Sequence, residues 1–279
     1  MHLALDRYAQ LARRLGLAAD RHGLLSSDRR TAAQDRQERG ELLARPPSDG
    51  EVHYVWSFLL WGSVMDPGVR RQLRQGWGLC ERHAWTLLLV EAAFRPHFPH
   101  ASTLIYQDLM SRAWQAFRLV GPWKAERIRH ALKQQAPCIM CRIGYGPESR
   151  GAAVPPAVLE RGRDSSSLRN SAEATRPWWE PMVCGVCSGS GSSVRCRRHL
   201  RQDLSRSGAG RQTDGAGDLV RRISAHLARF ARSFRWELRG TDTDEDRAAL
   251  ISAAGWCSGW RPLLSIMEQE RREPGSADT

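Results

Sequence analysis

Eight thiol and imidazole side chains fall into four pairs, each with two residues between its members: Cys80 with His83, Cys138 with Cys141, Cys184 with Cys187, and Cys196 with His199. Ligands at that spacing can turn back onto one ion while nearby backbone amides face the thiolates, and eight ligands are what two closed tetrahedral zinc sites require. Of the seven cysteines only Cys257 stands alone, in "GWCSGW". It reads as a small buried apolar side chain.

The stretch "CGVCSGSGSSVRCRRH" puts Cys184 and Cys187 a short glycine- and serine-rich loop away from Cys196 and His199. That loop folds back easily, so these four form the compact set. Cys80 and His83 then have Cys138 and Cys141 as partners, across a segment that reads as helices able to pack antiparallel. The crossed arrangement joins Cys138 and Cys141 to Cys196 and His199 and leaves Cys184 and Cys187 for Cys80 and His83. The nearer pairing is favoured because a shorter loop loses less chain entropy on closing.

Other chemistry is possible for these residue types. A redox Cys-x-x-Cys opens a helix after a strand, and "APCIMCRIGYGPES" offers neither a preceding strand nor a clear following helix. Cys80 beside His83 could be a nucleophile and its base, but the same pattern recurs at Cys196 and His199, for which a shared ligand role is simpler. Catalytic zinc keeps an open position, whereas four protein ligands per site close it. The expectation is a non-enzymatic protein.

Helical periodicity dominates the elements that must position these groups, and no series of alternating strands is evident. The fold class expected is mainly α, a helical protein with two zinc knuckle sites and a long disordered insertion. Residues 1–50 read as an N-terminal amphipathic helix and a polar linker. Residues 51–141 read as a helical unit with the first zinc site, 142–176 as the disordered insertion, 177–206 as a zinc-ribbon-like loop, and 218–270 as C-terminal helices. Asp66 with Pro67 starts a short helix that Gly76 is placed to end, Ser102 can cap the next long one, and Pro122 can open the one after it. An acidic turn at 242–246 opens a late helix, with Gly255 as its expected end. Trp56, Trp61, Trp85 and Trp114 lie in apolar runs and are expected in the core, while the adjacent indoles of "PWWEP" must point in different directions.

A chain of 279 residues with 41% apolar content can bury a core, and its longest apolar runs are about half the length of a membrane span. The N-terminal residues lack the pattern of a leader peptide, so the protein is expected to be cytoplasmic, where clustered thiols stay reduced and favour metal. The net charge of +12 is almost all arginine, with "RRQLR" at 70–74 and "RCRRHLR" at 195–201 as the dense groups. A solvated surface explains most of it, with a nucleic-acid-binding face as the competing reading.

The segments "DPGVRRQLRQGWGLCERHAW", "LIYQDLM", "CIMC", "CRRHL", "FARSFRWELRG" and "DRAALISAAG" resemble a family of uncharacterised bacterial proteins, a domain of unknown function. In that family a Cys-x-x-Cys knuckle, helices and a Gly-apolar-Cys-x-x-His knuckle occur twice. The resemblance covers roughly residues 51–255 with gaps. It departs from the family in lacking a first Cys-x-x-Cys before residue 51, and Cys184 with Cys187 looks like an added or relocated pair. The family brings no activity with it. The expected role is a zinc-stabilised interaction or regulatory module with a protein partner, and no membrane or small-molecule substrate. Alternatives are a nucleic-acid-binding regulator using arginines near the knuckles and, less favoured, a thiol redox sensor.

Overall fold

The computed structural model describes residues 45–96, 99–121, 123–150, 154–206 and 210–272. The N-terminal amphipathic segment and most of the polar linker lie outside the described residues, as does Pro122. In chain order the helices are α1 (Asp49–Tyr54), α2 (Pro67–Gly76), α3 (Glu81–Phe94), α4 (His100–Phe117), α5 (Lys124–Ala131), α6 (Ile139–Arg142) and α7 (Pro156–Arg163). They continue as α8 (Ser166–Ala174), α9 (Arg176–Trp179), α10 (Gly185–Ser188), α11 (Arg197–Leu204), α12 (Gly210–Arg232), α13 (Asp244–Ser258) and α14 (Arg261–Arg272). Among the described residues there is no strand, and the protein is mainly α.

Two helices apolar on nearly every side form the centre, as expected for elements surrounded by others. α3 is buried from Arg82 through Glu91 and packs against α1, α7, α8 and α14. α13 is buried from Ala248 through Cys257 and packs against α4, α9, α11 and α12. Indoles join the two: Trp260 stacks on Trp179 with centroids 6.1 Å apart and tilts against Trp85 at 6.5 Å, while Trp85 Nε1 donates to the Gly259 carbonyl at 2.8 Å. Buried residues from Val52 to Met267 belong to one contiguous core, so residues 51–141 and the C-terminal helices do not pack as separate units.

Several local expectations are met. Asp66 accepts from the amides of Gly68 and Val69 with Pro67 in the first turn, and Asp244, Glu245 and Asp246 form the acidic first turn of α13. Cys257 is buried.

Other expectations are corrected. The described residues between 142 and 176 include two helices where a disordered insertion was expected: α7 and α8 lie there, packed on α3. Both are short, and their periodicity is weak in isolation, so tertiary contacts hold them. Leu168 and Ala172 are buried, and a Cβ at Gly162 would sit 2.4 Å from Val52 Cγ1, so only glycine allows that approach. Residues 177–206 are helical knuckle, not ribbon, with Gly185 N donating to Val194 O at 3.0 Å to close the loop.

Ser102 does not cap α4. The helix starts at His100, and the Glu91 carboxylate of α3 accepts from the Ala101 and Ser102 amides at 2.7 and 2.9 Å. Gly255 does not end α13, because it is there to admit the Trp260 ring, which a Cβ would meet at 2.3 Å. Trp61 is 71% exposed and not in the core, because the chain leaves a π-helical turn (Val55–Leu59) through Gly62 at φ 107° just beyond it.

Candidate metal centres

The fold brings the eight side chains together in the nearer pairing. Cys80, His83, Cys138 and Cys141 form one cluster and Cys184, Cys187, Cys196 and His199 the other, with the ligand atoms of each within 4.8 Å of one another. Both are built alike. The leading cysteine of every pair, Cys80, Cys138, Cys184 or Cys196, occupies the N-cap of a helix, and its partner sits one turn in. Free amides and the helix dipole there favour thiolate over thiol.

The interatomic distances match one four-coordinate ion. Metal–sulfur bonds of about 2.3 Å and metal–nitrogen bonds of about 2.0 Å give tetrahedral edges of about 3.8 Å between sulfurs and about 3.5 Å between sulfur and nitrogen. In the first cluster Cys80 Sγ and Cys141 Sγ are 3.7 Å apart, and His83 Nδ1 lies 3.2, 3.4 and 3.4 Å from the sulfurs of Cys80, Cys138 and Cys141. In the second, Cys187 Sγ and Cys196 Sγ are 3.9 Å apart, and His199 Nδ1 lies 3.2, 3.5 and 3.2 Å from Cys184, Cys187 and Cys196. A disulfide needs sulfurs about 2.0 Å apart, and all seven cysteines are free.

The electrostatics of each cluster call for a cation. Its neighbouring sulfurs push Cys138 well down, while the Cys138 and Cys141 sulfurs push Cys80 up. The same division places Cys184 down and Cys187 up, and the thiolates of Cys184 and Cys196 raise His199 to about 9. Three sulfurs in contact cannot all ionise without added positive charge. A dication held by the four side chains would supply it and would replace the shared protons.

The two centres differ in what surrounds them. His83 is buried, and with Nδ1 turned to the sulfurs its Nε2 faces Glu51 Oε1 at 3.0 Å. Glu51 is fully buried; it accepts from Arg82 Nε and Nη2 at 2.6 and 2.7 Å and from the Ser48 amide at 2.8 Å. Arg82 also donates to the carbonyls of Arg45 and Pro46. Burial raises the Glu51 pKa, but His83 and Arg82 outweigh it and hold the carboxyl at about 2. This is the carboxylate–histidine arrangement that fixes the ring and tautomer of a ligating imidazole. Among the described residues no carboxylate faces His199, which is half-buried beside a loop of exposed glycine and serine residues. Arg261, tied to Glu81 at 2.6 Å, feels this centre: against its burial, Glu81 and then the Cys187 and Cys196 sulfurs raise it.

Glu51 was not among the sequence-based site residues. Its signal was present in "SDGE", where Ser48 and Glu51 form a capping box at α1; the box marks a helix start but says nothing of a histidine far along the chain. Trp77 was likewise unforeseen. Gly76 is the last residue of α2, yet the left-handed residue after it is Trp77, at φ 56°, an uncommon conformation for a large side chain. Its ring is held under the guanidiniums of Arg112 and Arg197, at 4.5 and 5.2 Å, and Nε1 donates to Lys133 O at 3.1 Å. Comparison of the chain with family models, with curated proteins and with solved structures finds no match.

Proposed function

We propose that the protein is a non-enzymatic, zinc-stabilised helical protein that works as an interaction or regulatory module, with one zinc ion in each cluster. The carrying observation is that both clusters present three sulfurs and one imidazole nitrogen at tetrahedral edge lengths. Soft thiolates in a tetrahedron select zinc, and four protein ligands leave no coordination position for substrate. Zinc here supplies folding free energy. The repeated knuckles also support kinship with the bacterial family whose motifs the sequence resembles. Six thiolates reserved for metal fit a reducing, cytoplasmic setting, and no helix of the described residues is long and apolar enough to cross a membrane.

Elemental analysis of protein purified without added metal tests this reading. The expected content is about two zinc ions per chain. A reproducible value near zero sinks it, and a value near one leaves a single centre.

Alkylation gives a second, residue-level check. In the zinc-loaded protein no cysteine should react quickly with a small reagent, including the exposed Cys141. After chelation the six cysteines of the clusters should label while Cys257 stays protected, since it is buried and its thiol is pushed up to about 12. Rapid labelling of Cys80 with zinc still bound would identify it as a nucleophile instead.

A further inference from the structure

The two dense basic stretches, 70–74 and 195–201, are far apart in the sequence, yet the fold brings them to one face. Arg70 and Arg74 both reach Asp108, at 3.8 and 2.6 Å. Arg112 donates to the Arg74 carbonyl and covers Trp77, which Arg197 also covers. Arg197 and Arg201 donate to the carbonyls of Leu132 and Arg129 at 2.9 and 3.2 Å, and the amides of Gln135 and Ala136 donate to Gln75 O at 2.8 and 3.2 Å. Helices α2, α5 and α11 are thereby joined around the buried Trp77.

Residues 67–77, 108–112, 125–137 and 197–202 hold ten lysines and arginines but only two carboxylates, Asp108 and Glu126, a balance of +8 within a chain total of +12. Both carboxylates are already engaged, by Arg74 and Arg129. Arg71, Arg74, Arg127, Lys133 and Arg198 are exposed. Burial and then the charge of Arg74 hold Arg112 below its ordinary value against the pull of Asp108, and burial and then Arg129 do the same to Arg201. Like charges gathered this way repel, and a polyanion relieves the repulsion while releasing its own counterions.

We infer that this face binds the sugar–phosphate backbone of duplex DNA without base readout, and so supplies the partner of the interaction module proposed above, on which it rests. Guanidiniums suit phosphate in geometry as well as charge. Platforms for single strands need exposed aromatic rings in series, whereas the tryptophan at the centre here is fully buried beneath two arginines. The metal centres hold the face in shape, since Cys80 and Cys138 follow two of its segments closely and Cys196 directly precedes Arg197.

The test uses the full chain, with metal content measured on the same sample, and follows anisotropy of a labelled duplex of about 20 base pairs between about 0.05 and 0.2 M salt. The expected slope of log affinity on log salt is about −5, for roughly six phosphates contacted. Changing Arg71, Lys133 and Arg198 together to glutamine should make the slope less negative by about 3 and weaken binding about 100-fold near 0.15 M salt. A control triple, Arg150, Arg232 and Arg235 to glutamine, removes as many exposed charges elsewhere and should stay within about 5-fold. Equal losses in the two triples would overturn the inference, as would a single strand binding as tightly as the duplex, or no binding at low salt. Absence of binding with about two zinc ions present defeats this inference alone, whereas salt-dependent binding by metal-free protein defeats the zinc reading alone.

Discussion

Glu51→Ala is expected to destabilise the protein by about 3–5 kcal/mol, because it leaves a buried guanidinium and a buried imidazole without their counter-charge. At this chain length that corresponds to a fall of about 10–15 °C in the melting temperature. Zinc affinity at the first centre should drop about 10- to 100-fold, the effect typical of losing the carboxylate behind a ligating histidine, while the second centre keeps its ion. Glu51 holds this role through four contacts at once: His83 Nε2 at 3.0 Å, two from Arg82, and the Ser48 amide. Glu51→Gln separates shape from charge. It retains an acceptor for one donor and should lose affinity with a smaller loss of stability. Thermal unfolding by circular dichroism and competition against a zinc chelator measure the two effects. A melting temperature within about 3 °C of the parent, or loss of both ions alike, would contradict the assignment.

Both clusters of four were legible in the sequence because a Cys-x-x-Cys or Cys-x-x-His pair is a local pattern: one helical turn from the N-cap fixes where both side chains sit. Loop length also indicated which pairs meet. Glu51, by contrast, meets His83 only through packing of α1 against α3, and no spacing rule links a capping residue to an imidazole in another helix. The basic face has the same origin. "RRQLR" and "RCRRHLR" were visible as separate groups, but their convergence depends on Arg197 and Arg201 finding the carbonyl ends of α5.

The helical class was legible from periodicity, and the cap at Asp66 and the acidic start of α13 from side-chain chemistry. Ends set by long-range contacts were not. Glu91 rather than Ser102 satisfies the first amides of α4, and Gly255 serves the Trp260 ring rather than a helix end. α7 and α8 were missed because glycine, serine and arginine look like loop composition, whereas Gly162 is required for contact with Val52, and Leu168 and Ala172 are enough apolar surface to anchor α8 on α3. In each case the deciding partner lies in another element.

Substitutions at the two centres should have unequal consequences. Cys187→Ser is expected to release one zinc ion and loosen residues 177–206 while leaving most helices intact, because that centre closes a short loop whose flanks are held independently. Trp179 is stacked on Trp260 and Arg197 is bonded to Leu132 and Cys257, and neither set of contacts involves the four side chains of the centre. Cys80→Ser or Cys141→Ser should release the other ion and reduce helical circular dichroism substantially. The first centre ties the N-terminus of the central helix α3 to α6 across a long stretch of chain, and the buried Glu51 and Arg82 lie directly behind it. Metal-site free energy is folding free energy when no preformed site exists in the unfolded chain, and closing the longer loop restricts the unfolded chain more. The measurement is zinc content together with far-ultraviolet dichroism and thermal unfolding for the three variants. Two outcomes would count against this account: equal loss of helix in Cys187→Ser and Cys80→Ser, or loss of both ions from either one, since each would mean that the centres do not fold as separate closures.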